Sequence, residues 1–217
     1  MDKRDELVQR HFPTVMVPRY KREWFPECPM GKSRLLMAED GLYIETRQPW
    51  GHLIENIWVS PRLLPYGPME GEDTFMNALE IARTMLEPHL EEAERFAEDG
   101  VEWAAWVTWE NGQWRVYTLN DEVGSVQVRS NLPKLRPGEH LVLDVHSHHK
   151  MAACFSSQDD NDDQGGVKIA QVMGQYETGK RLLDIQTRYC IEGFFITADL
   201  DPDTEDPINE DFEEGAL

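Results

Sequence analysis

A chain of 217 residues, 40% hydrophobic and 29% charged, can bury one sizeable core with a smaller domain beside it. Its formal net charge of -20 repels phosphate backbones, which argues against general DNA or RNA binding; it suits a partner with a basic face or serves solubility alone. No apolar run reaches the roughly 18 residues of a membrane-spanning helix.

The opening MDKRDELVQRHF is too charged for a signal peptide, since it lacks an apolar central stretch, and residence in the cytoplasm is expected. Three cysteines, Cys28, Cys154 and Cys190, are odd in number and widely spaced. They fit a reducing compartment, and without a CxxC pair they argue against both a disulfide framework and a zinc ribbon.

Residues 1–70 form a basic, proline-containing, β-rich segment of unassigned role. Pro13, Pro18, Pro26 and Pro29 interrupt its start, so an extended arm with one short initial helix is expected. The stretch from Leu35 to Pro61 alternates apolar residues with turn signals at Asp40-Gly41 and Pro49-Trp50-Gly51, which predicts two or three strands. From Asp73 the pattern becomes helical, with Phe75, Leu79, Ala82, Leu86 and Leu90 at three- and four-residue steps. Asp73 or Thr74 is positioned to cap this helix, Pro88 to kink or restart it, and Asp99-Gly100 to end it.

Strand-like runs follow at Trp103–Trp109 and Trp114–Leu119, joined through Asn111-Gly112, a strong hairpin signal. A weaker run is Gly124–Val128, and Leu141–Val145 is a further strand. After Gly165-Gly166 comes an alternating strand, Val167–Met173, then a hairpin-like segment, Arg181–Arg188, and a last run, Cys190–Thr197. Residues 199–217 hold nine acidic side chains and no Lys or Arg, which predicts a disordered tail. Strands and helices both occur in this order, so an α+β fold is expected.

The chemistry concentrates in HSHHKMAACFSSQDDNDD, which begins at His146 directly behind the strand LVLDV. In extended chain, side chains two residues apart share a face, so His146 and His148 can bind one ion together. Asp159 lies at the next turn or helix start, with Ser156 three residues before it. Two imidazoles and a carboxylate suit Zn²⁺, and three protein ligands leave its fourth position open. Taken singly, each residue has a bland reading: paired histidines on a surface, Asp159 and Ser156 as helix caps. Their coincidence behind an apolar strand favours the metal site.

Asp144 shares the His146 face and reads either as an acceptor that orients an imidazole or as a polar residue at the core edge. His149 points away from His148 and is left out of the ligand set. Cys154 reads as a small buried residue. Asp160, Asp162 and Asp163 lack the spacing of a calcium loop and read as a solvated turn.

At His146, Ser147, His148, Ser156 and Asp159 the chain resembles the JAMM (MPN-plus, JAB-type) zinc metalloprotease family, matching every fixed position of H-S/T-H-x7-S-x-x-D. The resemblance implies a JAB/MPN domain over residues 71–198, with a central mixed β-sheet flanked by helices. It implies zinc held by His146, His148 and Asp159, with Ser156 assisting the oxyanion. The family's upstream Glu, a general base, falls at Glu102 by helix-to-strand context, although Gly100 and Ala105 replace the usual Pro and Gly; Glu45 is the rival.

The N-terminal segment and the HSHH…FSSQDDNDD continuation further resemble the A proteins of PRTRC gene cassettes. That resemblance implies a peptidase or isopeptidase acting on a bacterial ubiquitin-like modifier or its conjugates, with a ThiF-like protein as a further partner. A metal-free binding scaffold, and a zinc amidohydrolase acting on a small-molecule or carrier-protein conjugate, are the alternatives.

Overall fold

The computed structural model describes residues 2–20, 22–119, 132–177 and 184–198. The run at Gly124–Val128, the start of the Arg181–Arg188 segment and the tail from Asp199 lie outside them.

The N-terminal part opens with helix α1 (Lys3–His11), whose N-cap Asp2 accepts a hydrogen bond from the Arg4 N–H. Strands β1 (Thr14–Met16), β2 (Lys32–Met37), β3 (Gly41–Gln48), β4 (Gly51–Val59) and β5 (Glu72–Asp73) form a sheet in that spatial order. The turns between β2 and β3 and between β3 and β4 fall where the Gly and Pro signals place them. One face of β2 and β3 is polar for a stretch. Arg34 lies opposite Glu45 and pairs with it, and the second Glu45 oxygen meets His52 Nε2 at 3.0 Å.

Helix α2 (Phe75–Leu86) is capped from Asp73, whose Oδ1 accepts the Phe75 and Met76 N–H groups at 2.8 and 3.1 Å. Proline lacks the N–H that a helix interior needs. At Pro88 the chain accordingly passes through one 3-10 turn, Glu87–His89, before α3 (Leu90–Glu98).

The second sheet contains β6 (Ala104–Glu110), β7 (Gln113–Thr118), β8 (His140–Ser147), β9 (Val167–Gly174), β10 (Asp184–Ile191) and β11 (Phe194–Thr197). Their order is β11-β10-β9-β8-β6-β7, and only β8 and β9 run parallel. Asn111 and Gly112, with φ of 51° and 82°, make the expected β6–β7 turn. The expected hairpin within Arg181–Arg188 is corrected. Asp184–Ile191 pairs with β9 without interruption, and the chain reverses at Glu192-Gly193, where φ is 47° and 95°.

Helix α2 packs between the sheets. One apolar cluster joins Ile44, Trp50 and Leu53 of the first sheet to Phe75 and Leu79 of α2, and to Val107, Leu143 and Ile169 of the second. The Phe75 ring lies 4.3 Å from Trp50 and 5.4 Å from Tyr189 between centroids. Gly51 is required here, because a Cβ would come within 2.8 Å of the Phe75 ring. β8 is a central strand of the sheet, with Val142, Leu143 and Val145 at 0% exposure and Asp144 and His146 partly exposed.

Immediately before β8, the buried carboxylate of Glu139 ties three strands together. It accepts from Thr108 Oγ1 (2.7 Å), Tyr117 Oη (2.9 Å) and the Arg136 N–H (3.0 Å). Burial pushes its pKa up, but these hydrogen bonds and the Arg136 charge outweigh it and hold the group at about 2, below its ordinary 4.5. A folded-state value below the unfolded one stabilises the fold above about 4.5, and that contribution is lost as pH falls towards 2. The stability gap between wild type and Glu139→Gln, measured by urea unfolding, is therefore expected to be widest near neutral pH and to close in acid. A gap independent of pH would refute this role.

Candidate metal centre

Parallel strands cannot be joined by a tight turn, so the link from β8 to β9 must cross over the end of the sheet. That crossover carries the candidate ligands. His146 is the penultimate residue of β8, and His148 continues the extended chain, its N–H donating to the Met173 carbonyl at 2.7 Å. At His149 φ is 42° and the chain turns away; Met151 N–H then bonds the His148 carbonyl at 2.9 Å. The two-residue period thus brings His146 and His148 together, their Nε2 atoms 3.2 Å apart, and diverts His149.

The crossover ends in α4 (Ser157–Asp162), which Ser156 caps. The capping box is complete: the Asp159 N–H donates to Ser156 Oγ at 3.2 Å, and Asp159 Oδ2 accepts the Ser156 N–H and hydroxyl at 2.7 and 2.6 Å. Asp159 Oδ1 lies 3.7 Å from His146 Nε2. His146, His148 and Asp159 each offer an atom within 4.8 Å of the others, a group that can hold a metal ion. Zn–N bonds near 2.0–2.1 Å at a tetrahedral angle put two nitrogens about 3.3 Å apart, close to the imidazole spacing here.

Electrostatics prepare the same atoms. Burial pushes the His146 pKa down and the neighbouring His148 adds to this, while Asp159, Asp144 and Glu102 oppose it; the net shift is downward and favours the neutral, ligating imidazole. Burial pushes Asp159 up, but the Ser156 hydrogen bonds and the two histidines outweigh it and keep the carboxylate ionised.

Glu102 is exposed at the entrance to β6, and its charge acts on His146. Its placement depends on Ser147, between the two histidines. Ser147 Oγ accepts the Trp103 N–H at 2.9 Å, and the Ser147 N–H donates to the Trp103 carbonyl at 2.8 Å. Ala104 pairs with His146, so continuing the register sets Glu102 opposite His148. Glu45 is instead engaged by Arg34 and His52 in β3.

Of the two readings of Asp144 the contacts fit the core-edge one, and two other expectations, for Cys154 and for the later aspartates, change. Asp144 shares the His146 face but accepts from Trp106 Nε1 (3.0 Å) and Lys168 Nζ. Cys154 is exposed, while its neighbours Ala153 and Phe155 are buried and half-buried. Asp160 and Asp163 are not a solvated turn; both bind Arg188, and Asp163 is buried. Their counter-charges, Lys168 and Arg188, come from the later strands β9 and β10. The available signal was a lysine inside an apolar strand, Val167–Met173, which must find a counter-charge if buried.

The loop between the ligands rests on Gly174. A Cβ there would overlap the Met151 carbonyl oxygen and come within 2.5 Å of the Ala153 nitrogen, whose N–H also donates to Asp184 Oδ2 at 2.9 Å. Gly174→Ala is therefore expected to displace residues 150–155, speed amide exchange at Met151 and weaken zinc binding about tenfold or more. Gly165→Ala, with open space around it, should do neither. Equal metal affinity in the two variants would sink this account.

Among the described residues, no helix is long and apolar enough to cross a membrane. No curated protein and no solved structure matches the chain. Residues 2–76 match a family described as a domain of unknown function, DUF2016. Residues 88–186, which run from the 3-10 turn into β10 and include the whole crossover, match the family described as prokaryotic homologs of the JAB domain. Over residues 88–186 the chain is thus similar to prokaryotic JAB-type domains, and the mixed sheet behind a β-rich N-terminal part is consistent with that fold.

Proposed function

We propose that this protein is a zinc-dependent peptidase or isopeptidase of the JAMM type. The observation that carries the reading is the convergence of His146, His148 and Asp159 donor atoms within 4.8 Å at the end of β8. When bound there, zinc would supply Lewis acidity towards a scissile carbonyl and lower the pKa of water from about 15.7 towards about 7.

The remaining steps belong to the chain. Glu102, exposed and electrostatically coupled to His146, is the group to accept a proton from the attacking water. The same carboxyl then delivers that proton to the leaving nitrogen as the C–N bond breaks. Ser156 is assigned as the donor to the oxyanion. Its hydroxyl donates to Asp159 here, so it has to rotate towards substrate, while the Ser156 N–H stays on the carboxylate. A donor of this kind is typically worth about 3–4 kcal/mol of barrier.

For substrate we propose a bacterial ubiquitin-like modifier or its conjugates. The support is the resemblance to PRTRC A proteins, whose cassettes include a ThiF-like protein, together with a surface of net charge -20 suited to a basic partner face.

His146→Ala is expected to lose stoichiometric zinc, read by metal analysis of the purified protein; undiminished zinc would move the site elsewhere. Glu102→Gln is expected to keep zinc and lose at least about a hundredfold in release of a C-terminal extension from the cassette's modifier. Retained turnover in that variant would transfer the base to another residue. Zinc binding without release of any extension by wild type would favour a scaffold, or an amidohydrolase for smaller conjugates.

A further inference from the structure

Helix α4 has the sequence SQDDND, with no apolar residue, and its one buried side chain is Asp159. Six residues are too few for a helix to persist by itself, and most helices are held by an apolar face that α4 lacks. Besides its capping box, ion pairs fasten it to the sheet. Arg188 of β10 donates through Nη1 to Asp160 Oδ1 at 2.6 Å and through Nη2 to Asp163 Oδ2 at 2.7 Å. Asp163 Oδ1 then meets Lys168 Nζ of β9 at 2.6 Å, and Lys168 continues to Asp144 of β8, two residues before His146. The line of charges therefore begins on the helix that carries Asp159 and ends on the strand that carries His146.

The guanidinium is clamped as well as paired. Its central carbon sits 3.8 Å from the Phe155 ring centroid and 4.1 Å from that of Phe195, and Phe155 directly precedes the capping serine. Arg188, Asp163 and Lys168 are only 7%, 5% and 9% exposed, and Arg188 Nε is buried without a hydrogen-bond partner. Buried ion pairs often contribute nothing net to stability relative to apolar packing, so this arrangement is better explained by the geometry it enforces. The rigid fork of arginine can reach two carboxylates three residues apart on a helix, which a lysine cannot do.

We infer that Arg188 is a positioning residue for the metal centre: through Asp160 and Asp163 it holds α4 so that the Asp159 carboxylate faces His146. Lys168 carries the same constraint to β8. This rests on the metal-site reading above and adds a residue that is neither a ligand nor in contact with substrate.

The test uses the full chain and metal alone. Arg188→Met keeps the contact with both phenyl rings but removes the fork, and Arg188→Lys restores one charge without it. Zinc affinity is measured by competition with a chromophoric chelator, the visible spectrum of bound Co²⁺ reports the ligand set, and urea unfolding reports stability. Arg188→Met is expected to bind zinc about 10- to 100-fold more weakly. Its cobalt spectrum should change as the carboxylate leaves the ligand set, with Arg188→Lys intermediate. Asp160→Asn, which removes only the more exposed arm, should weaken zinc about tenfold and serves if Arg188→Met does not fold. Reduced stability with unchanged zinc affinity and cobalt spectrum overturns the inference and leaves the metal site standing. A wild type that binds neither ion overturns both.

Discussion

The structure depends most on one constraint, the parallel pairing of β8 with β9. Antiparallel neighbours can be joined by two residues, as β6 and β7 are, but a parallel pair requires a crossing over the end of the sheet. The candidate metal ligands all lie in or beside that crossing. His146 sits where β8 ends, His148 where the chain leaves it, and Asp159 in the helix through which it returns. The buried Val142, Leu143 and Val145 anchor β8 beneath the two imidazoles, and Gly174 lets the loop lie directly on the end of β9.

Around that crossing, hydrogen bonds and charge do what apolar packing cannot. The capping box fixes the Asp159 carboxylate, and the paired bonds between Ser147 and Trp103 fix the chain beside Glu102. Burial favours a neutral His146 while the Ser156 hydrogen bonds favour an ionised Asp159. Those are the protonation states in which His146 and Asp159 offer lone pairs to a divalent ion. The chain has 41 acidic to 21 basic residues, yet two of its cations, Lys168 and Arg188, are buried behind this site. Their position answers a local excess of carboxylates at Asp144, Asp160 and Asp163.

The N-terminal sheet is joined to this apparatus through α2. Phe75 touches Trp50 on one side and Tyr189 on the other, and the Tyr189 hydroxyl donates to Asp73 Oδ2 at 2.7 Å, the residue that caps the helix. One side chain therefore starts α2 and fastens it to β10, the strand that carries Arg188. The family match over residues 2–76 ends just inside α2, so the sequence unit and the shared core overlap at this helix.

Much of this was legible without coordinates. Two-residue alternation, the Asn111-Gly112 turn, the Pro88 break and the glycine after α3 are local effects of backbone sterics and hydrogen bonding, and each appears where the residues place it. The pairing of His146 with His148 is local too, because it follows from the strand period. What failed was non-local. Asp160 and Asp163 read as solvated because local sequence cannot show that a lysine and an arginine from two later strands arrive beside them. Cys154 read as buried because its exposure depends on how the loop lies over the sheet. The order β11-β10-β9-β8-β6-β7 could not be read from alternation, which marks faces and not neighbours. The sequence by itself determined which residues offer ligand atoms and which faces they share, since those depend on side-chain chemistry and strand period. Only the tertiary structure decided which charges are buried together behind them, since that depends on contacts between segments far apart in the chain.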